Sequence, residues 1–215
     1  MPNKEKITKR KEKTSKIEPQ TKEKFFNAIK NNDIEKIKNI VESEVSIVDT
    51  KCINEALRVA LAETNLEIVK YLIENGADIN TKDEDGETAL MLASEKENLE
   101  MVKYFIQKGA SHINDALIYA TTSGNLEIVK YLVEEGADVN AKYVYHDRLN
   151  NDISKTVLII ASLKENWDIV KYLVEKGADV NTKFNYKNNY NNFAEPVKSK
   201  TALIIASEKE NLEMV

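Results

Sequence analysis

Leu66-Glu67-Ile68-Val69-Lys70-Tyr71-Leu72, followed by Gly76-Ala77-Asp78-Ile79-Asn80, decides how this chain is read, because it recurs. It returns as Leu99-Glu100-Met101-Val102-Lys103-Tyr104-Phe105, as Leu126-Glu127-Ile128-Val129-Lys130-Tyr131-Leu132 and as Trp167-Asp168-Ile169-Val170-Lys171-Tyr172-Leu173. A shortened copy, Leu212-Glu213-Met214-Val215, closes the sequence, and a fainter one, Ile34-Glu35-Lys36-Ile37-Lys38-Asn39-Ile40, precedes the rest. Repetition at a nearly fixed period sets the architecture before any single residue does. Within the first full copy, Leu66, Ile68, Val69, Leu72 and Ile73 fall at helical spacing. Asn65 can accept a hydrogen bond from the free N–H groups that open this helix. Gly76 stands just past its end, where the chain needs positive φ. Working outward, Ala56, Leu57, Val59 and Ala60 form the apolar stripe of a preceding helix, expected over about residues 55–63. Two helices this short each leave an apolar face uncovered, so stacked copies must cover one another.

Bulk composition limits the alternatives. The chain has 215 residues, 42% of them apolar, and a formal charge of −5. No apolar run approaches the roughly 18–20 residues that cross a bilayer. Residues 1–20 carry seven Lys/Arg against three Glu and few apolar groups, which predicts a disordered, basic N-terminal tail on an acidic body. An acidic body argues against nucleic acid as the repeats' partner, since phosphate contact needs a basic face. The one cysteine, Cys52, forbids an internal disulfide and points to the cytoplasm or another reducing intracellular compartment.

Asp83, Gly86, Thr88, Leu90 and Ala93, read as Asp-x-x-Gly-x-Thr-x-Leu-x-x-Ala, then Leu99–Lys103, then Gly109-Ala110, resemble the ankyrin repeat, and the resemblance extends over nearly everything from about Lys22 to Val215. It implies an all-α ankyrin-repeat solenoid of stacked helix-turn-helix units with hairpin or loop fingers. The expected domain covers residues 21–215: a degenerate first unit at about 22–50, repeats at 51–82, 83–113, 114–142 and 143–183, and a truncated last repeat at 184–215. Two departures from the family pattern stand out. The family's Thr-Pro-Leu-His reads Thr88-Ala89-Leu90-Met91, Thr156-Val157-Leu158-Ile159 and Thr201-Ala202-Leu203-Ile204, so the histidine's polar links are lost and local stability should suffer. The family's glycine between the paired helices survives only as Gly124; Thr64, Glu97, Glu165 and Glu210 stand in its place elsewhere.

The spacing is also irregular. Successive second helices begin 32, 33, 27, 41 and 45 residues apart, counted from Ile34 through Leu66, Leu99, Leu126, Trp167 and Leu212. The step of 27 removes the finger before Asp115-Ala116-Leu117, while the steps of 41 and 45 insert residues within Tyr143–Lys155 and Phe184–Lys200. Insertions in repeat arrays fall in loops on one face, often the binding face. Asn-rich text such as Asn188-Asn189-Tyr190-Asn191-Asn192 has neither helical nor strand period and predicts loop. Six of the fifteen aromatics lie in these insertions, among them Tyr143, Tyr145, Phe184, Tyr186, Tyr190 and Phe193. They are either partner-binding anchors or a small core folded back on neighbouring fingers.

No catalytic set is visible. His112, His146 and Cys52 have no ligand spacing, and the carboxylates of Asp83–Glu87 end too soon for a calcium loop. Cys52, placed just before its helix, reads as a buried thiol. Tyr71, Tyr104, Tyr131 and Tyr172 recur once per repeat and read as inter-repeat packing, the lysines beside them as a solvated stripe, and Trp167 as a large core knob. The resemblance therefore implies a non-catalytic, monomeric adaptor without cofactor or metal, binding an unidentified protein through finger tips and the ends of the first helices. Carried over by position, the candidate contacts are Glu84, Asp85, Glu87, Glu95, Lys96, Thr122, Ser123, Leu163 and Lys164, together with the six insertion aromatics. The alternative is a targeting or regulatory fragment of a larger protein, such as a host-directed effector or an enzyme with a further C-terminal region, since the last repeat stops inside its second helix.

Overall fold

A computed structural model of the chain describes residues 19–43, 49–146, 152–186 and 198–209. These form helices in pairs and two short hairpins, and none of the described helices is long and apolar enough to cross a membrane. The chain divides into two compact units. One holds the described residues up to Ala93 together with Lys103–Ser111; the other holds Ser94–Val102 and the described residues from His112 onward.

In the first unit, α1 (Pro19–Lys30) pairs with α2 (Ile34–Ser43), and α3 (Thr50–Ala62) packs on α1 and on α4 (Leu66–Glu74). Phe25, Ile29, Ile37, Ala56, Leu57, Ile68 and Leu72 fill the space between them. Helix α1 starts inside the stretch expected to be tail. Proline lacks only an N–H that the first turn leaves unbonded anyway, and its fixed φ suits that position. Residues 1–18 lie outside the described residues. Helix α3 starts five residues earlier than expected, so Cys52 lies in its first turn and not before it. Asp49 is the reason: its carboxylate accepts the Cys52 N–H at 2.7 Å.

The unit's last described parts come from α5 (Ala89–Glu95) and α6 (Leu99–Gln107), through which the division runs. In the second unit, α7 (Ile113–Ser123) pairs with α8 (Leu126–Glu134), α9 (Val157–Leu163) with α10 (Trp167–Glu175), and α11 (Ala202–Glu208) packs on α9. Asn98 and Asn125 cap their helices as Asn65 does, each side-chain oxygen accepting an N–H three residues on at 3.0 Å.

The insertions have strands at their roots where loop was expected. Strand β1 (Lys142–His146) pairs antiparallel with β2 (Asp152–Thr156), and β3 (Phe184–Tyr186) with β4 (Lys198–Lys200). Residues 147–151 and 187–197, including the Asn188–Asn192 stretch, lie outside the described residues, as does the last partial copy, Leu212–Val215.

Candidate functional site

The site forms where the repeat pattern is interrupted. The connector Lys108–His112 contains no strand, and α7 begins at Ile113 directly after it, two residues earlier than expected. His112 holds φ at 65° and makes no side-chain cap hydrogen bond to α7. Where a finger would stand, an open cleft of about 730 Å³ is lined by His112, Asn114, Asp115, Asp138 and Lys142, with Ile118 at its floor. A second cleft of about 400 Å³ continues from the same Ile118 and is lined by Glu95, Tyr119, Thr122, Ser123 and Tyr143. Each wall has a local cause. Asn114 accepts the Asp138 N–H at 2.8 Å and ties the start of α7 to the turn after α8. The Thr122 hydroxyl donates to the Ile118 carbonyl at 2.8 Å, and the Ser123 hydroxyl to the Ala120 carbonyl at 3.1 Å, which orients the last turn of α7.

Glu95, Thr122 and Ser123, expected at the ends of first helices, and Tyr143, expected in the first insertion, share one cleft. Tyr143 is 46% exposed on β1. Lys96 is exposed beyond the end of α5; Leu163 and Lys164 are exposed at the end of α9, outside both clefts. Glu84 and Asp85 are exposed on a turn in the other unit, which Asp83 closes by accepting the N–H groups of Asp85 and Glu87 at 3.1 and 2.7 Å. Phe184 corrects the expectation of a free anchor: it is 7% exposed, and the Lys155 ammonium sits 5.0 Å from its ring centre. A phenyl ring placed against the neighbouring finger is withdrawn from water and covered by a cation. Tyr145 and Tyr186 belong to β1 and β3 by their backbones alone, since their side chains lie outside the described residues, as do Tyr190 and Phe193 entirely.

Sequence reasoning missed Tyr119, Asp115, Asp138 and Lys142. Tyr119 had a signal: the equivalent place in the other first helices holds Val59, Leu92, Ile160 or Ile205, and an aromatic replaces these only beside the missing finger. The recurrent lysines Lys70, Lys103, Lys130 and Lys171 are exposed, as expected of a solvated stripe, and two of them also reach an aromatic ring. Lys70 lies 5.5 Å from the Tyr104 ring centre, and Lys130 lies 5.8 Å from that of Tyr172, each reaching the ring of the next repeat. Burial pushes the Tyr104 and Tyr172 hydroxyls above their usual pKa, with Glu74 and Glu134 nearby adding to the shift, so both rings stay neutral beneath their cations. Trp167 is half-buried at a separate cleft beside Leu126 and Asn166, and is no core knob.

Cys52 is 2% exposed, and burial pushes its thiol up to about 11, which leaves a negligible thiolate population at neutral pH. Among the described residues no three His, Cys, Asp or Glu side chains gather as a metal site.

A family model described as ankyrin repeats matches the chain in three copies, over residues 25–115, 57–143 and 112–184. No curated protein matches it.

Proposed function

The chain belongs to the ankyrin repeat family, and from that premise we propose that it is a non-catalytic adaptor that binds a protein partner at the cleft beside its missing finger. Ankyrin repeats are in general protein-interaction modules. One observation carries the choice of surface: Glu95, Thr122, Ser123 and Tyr143, drawn from three successive repeats, line a single cleft together with Tyr119. Half-exposed tyrosines at the centre of a concave surface are typical energetic anchors, because they offer large rigid contact area with a polar tip. The lone buried thiol fits a monomeric adaptor of a reducing intracellular compartment.

Affinity capture with the full chain, compared with its Tyr143→Ser and Thr122→Lys variants, tests this reading. The expected result is a partner retained by the wild type and weakened by roughly tenfold or more in each variant, the effect of removing one anchor. Glu84→Ala, in the turn of the other unit, should leave capture unchanged. A partner held equally by the cleft variants, but lost from Glu84→Ala, would move the interface to that turn.

A further inference from the structure

The first finger has one side in use and one side open. Val157 donates its N–H to the Ala141 carbonyl at 3.1 Å, which makes Ala141 and Val157 a bonded pair at the foot of the hairpin. Bonded and non-bonded pairs alternate along an antiparallel ladder. Tyr143 and Tyr145 therefore bond to Lys155 and Ile153, while the N–H and C=O groups of Lys142, Val144 and His146 point away from β2. Strand β3 packs beside β2. On β1's other side no strand pairs among the described residues, and the connector into α7 builds none. Val144 is 56% exposed there. Lys142 and Tyr143 carry the open strand into the two clefts, whose other charged members, Glu95, Asp115 and Asp138, are acidic.

Resting on the proposed adaptor role, we propose that the open edge of β1 takes an extended, lysine- or arginine-bearing segment of the partner as an added strand. Main-chain hydrogen bonds to Lys142, Val144 and His146 would supply affinity, and alternate side chains of the segment would supply specificity. One set of them meets Tyr119 and Tyr143; the basic ones meet Glu95, Asp115 and Asp138. Edges are ordinarily blunted by shortness and charge. This strand has five residues with Lys142 at one end and His146 at the other, which discourages indiscriminate pairing while leaving Val144 free in the middle.

The test uses the full chain and a fluorescent peptide of alternating lysine and valine, long enough to span β1. Saturable binding is expected, weakened by roughly tenfold or more when alternate peptide nitrogens are methylated, since each lost main-chain bond leaves a desolvated group behind. Replacing the probe's lysines with glutamates should weaken it similarly. Val144→Pro removes an N–H that faces away from β2, so the hairpin can survive while the edge is blocked; it should reduce binding as methylation does. No binding of the basic probe, or equal binding of its methylated form, overturns the proposal. Should Val144→Pro retain its fold by circular dichroism and still bind the probe unchanged, strand addition is likewise excluded. Partner capture that is lost in Tyr143→Ser but intact in Val144→Pro would leave the cleft in place and remove strand addition alone. Self-association abolished by Val144→Pro would assign the edge to a second copy. Probe binding that tightens on deleting residues 1–18 would assign it to the chain's own basic stretch. Either result overturns the assignment to a partner.

Discussion

Thr64, Glu97 and Glu165 hold φ at 54°, 57° and 61°, in the turn between paired helices where the family places glycine. Gly124 does the same at 90°. The left-handed region crowds any Cβ against the following carbonyl, and a β-branched residue suffers most. Thr64 is exposed, so replacing it removes strain without opening a cavity. Thr64→Gly is expected to stabilise the protein by about 0.5–1 kcal/mol, the relief of strain less the greater freedom glycine has when unfolded. Gly124→Ala should act in the opposite direction, costing about 1–2 kcal/mol from the left-handed backbone alone. Its new Cβ would also stand 3.0 Å from the Asn166 amide nitrogen. Urea midpoints at constant slope measure both. Equal midpoints for the two variants and the wild type would mean that these turns relax freely and hold no strain.

The helices show which parts of the fold were legible. Helices α4, α6 and α8 carry their signal within ten residues, an asparagine cap followed by an apolar stripe, and the sequence locates them. First helices α3 and α7 begin earlier than expected because neither has the Thr-x-Leu entry; Asp49 caps α3 instead, and His112 at positive φ precedes α7. Strand β1 was harder still. Lys142–His146 pairs with Asp152–Thr156 across an insertion that has no strand period, and no local pattern announces that pairing. Asparagines supply polar links within and between repeats: Asn54 and Asn114 accept the Asp78 and Asp138 N–H groups within their own repeats, both at 2.8 Å. Asn80 accepts the Ser111 N–H at 2.7 Å and the Ser111 hydroxyl at 2.9 Å, in the next repeat. Asn80→Ala should therefore destabilise by about 0.5–1.5 kcal/mol, the net contribution of an ordinary hydrogen bond, because it removes this acceptor from the Ser111 donors. Asn80→Asp keeps the acceptor oxygen and should retain most of the stability. Thermal melts of the two variants decide the matter; equal melting points would mean that water serves Ser111 as well as Asn80 does.

For the whole molecule, the recurrent text accounts for the fold and the interruptions account for the site. A chain with uniform 33-residue spacing would build a finger before every first helix and leave no opening beside Ile118 and Tyr119. The 27-residue step between Leu99 and Leu126 is therefore the feature that makes the cleft, and it is readable as a gap in the sequence. What lined the gap was not readable, since α7 (Asp115, Tyr119), the turn after α8 (Asp138) and β1 (Lys142, Tyr143) are brought together only by folding. This dependence can be tested by restoring the missing finger. Copying Lys82-Asp83-Glu84-Asp85-Gly86-Glu87 into the connector between Ser111 and His112 supplies a turn already used by this chain. A surface insertion of that length should change stability by no more than about 1 kcal/mol, because loop-closure entropy grows slowly with length. Circular dichroism and the urea midpoint should accordingly stay close to the wild type. Capture of the partner should be abolished, since the new finger covers the edge of β1 and both clefts. A folded insertion variant that holds the partner as tightly as the wild type would show that recognition does not use the gap, and would return the search to the exposed ends of α5 and α9.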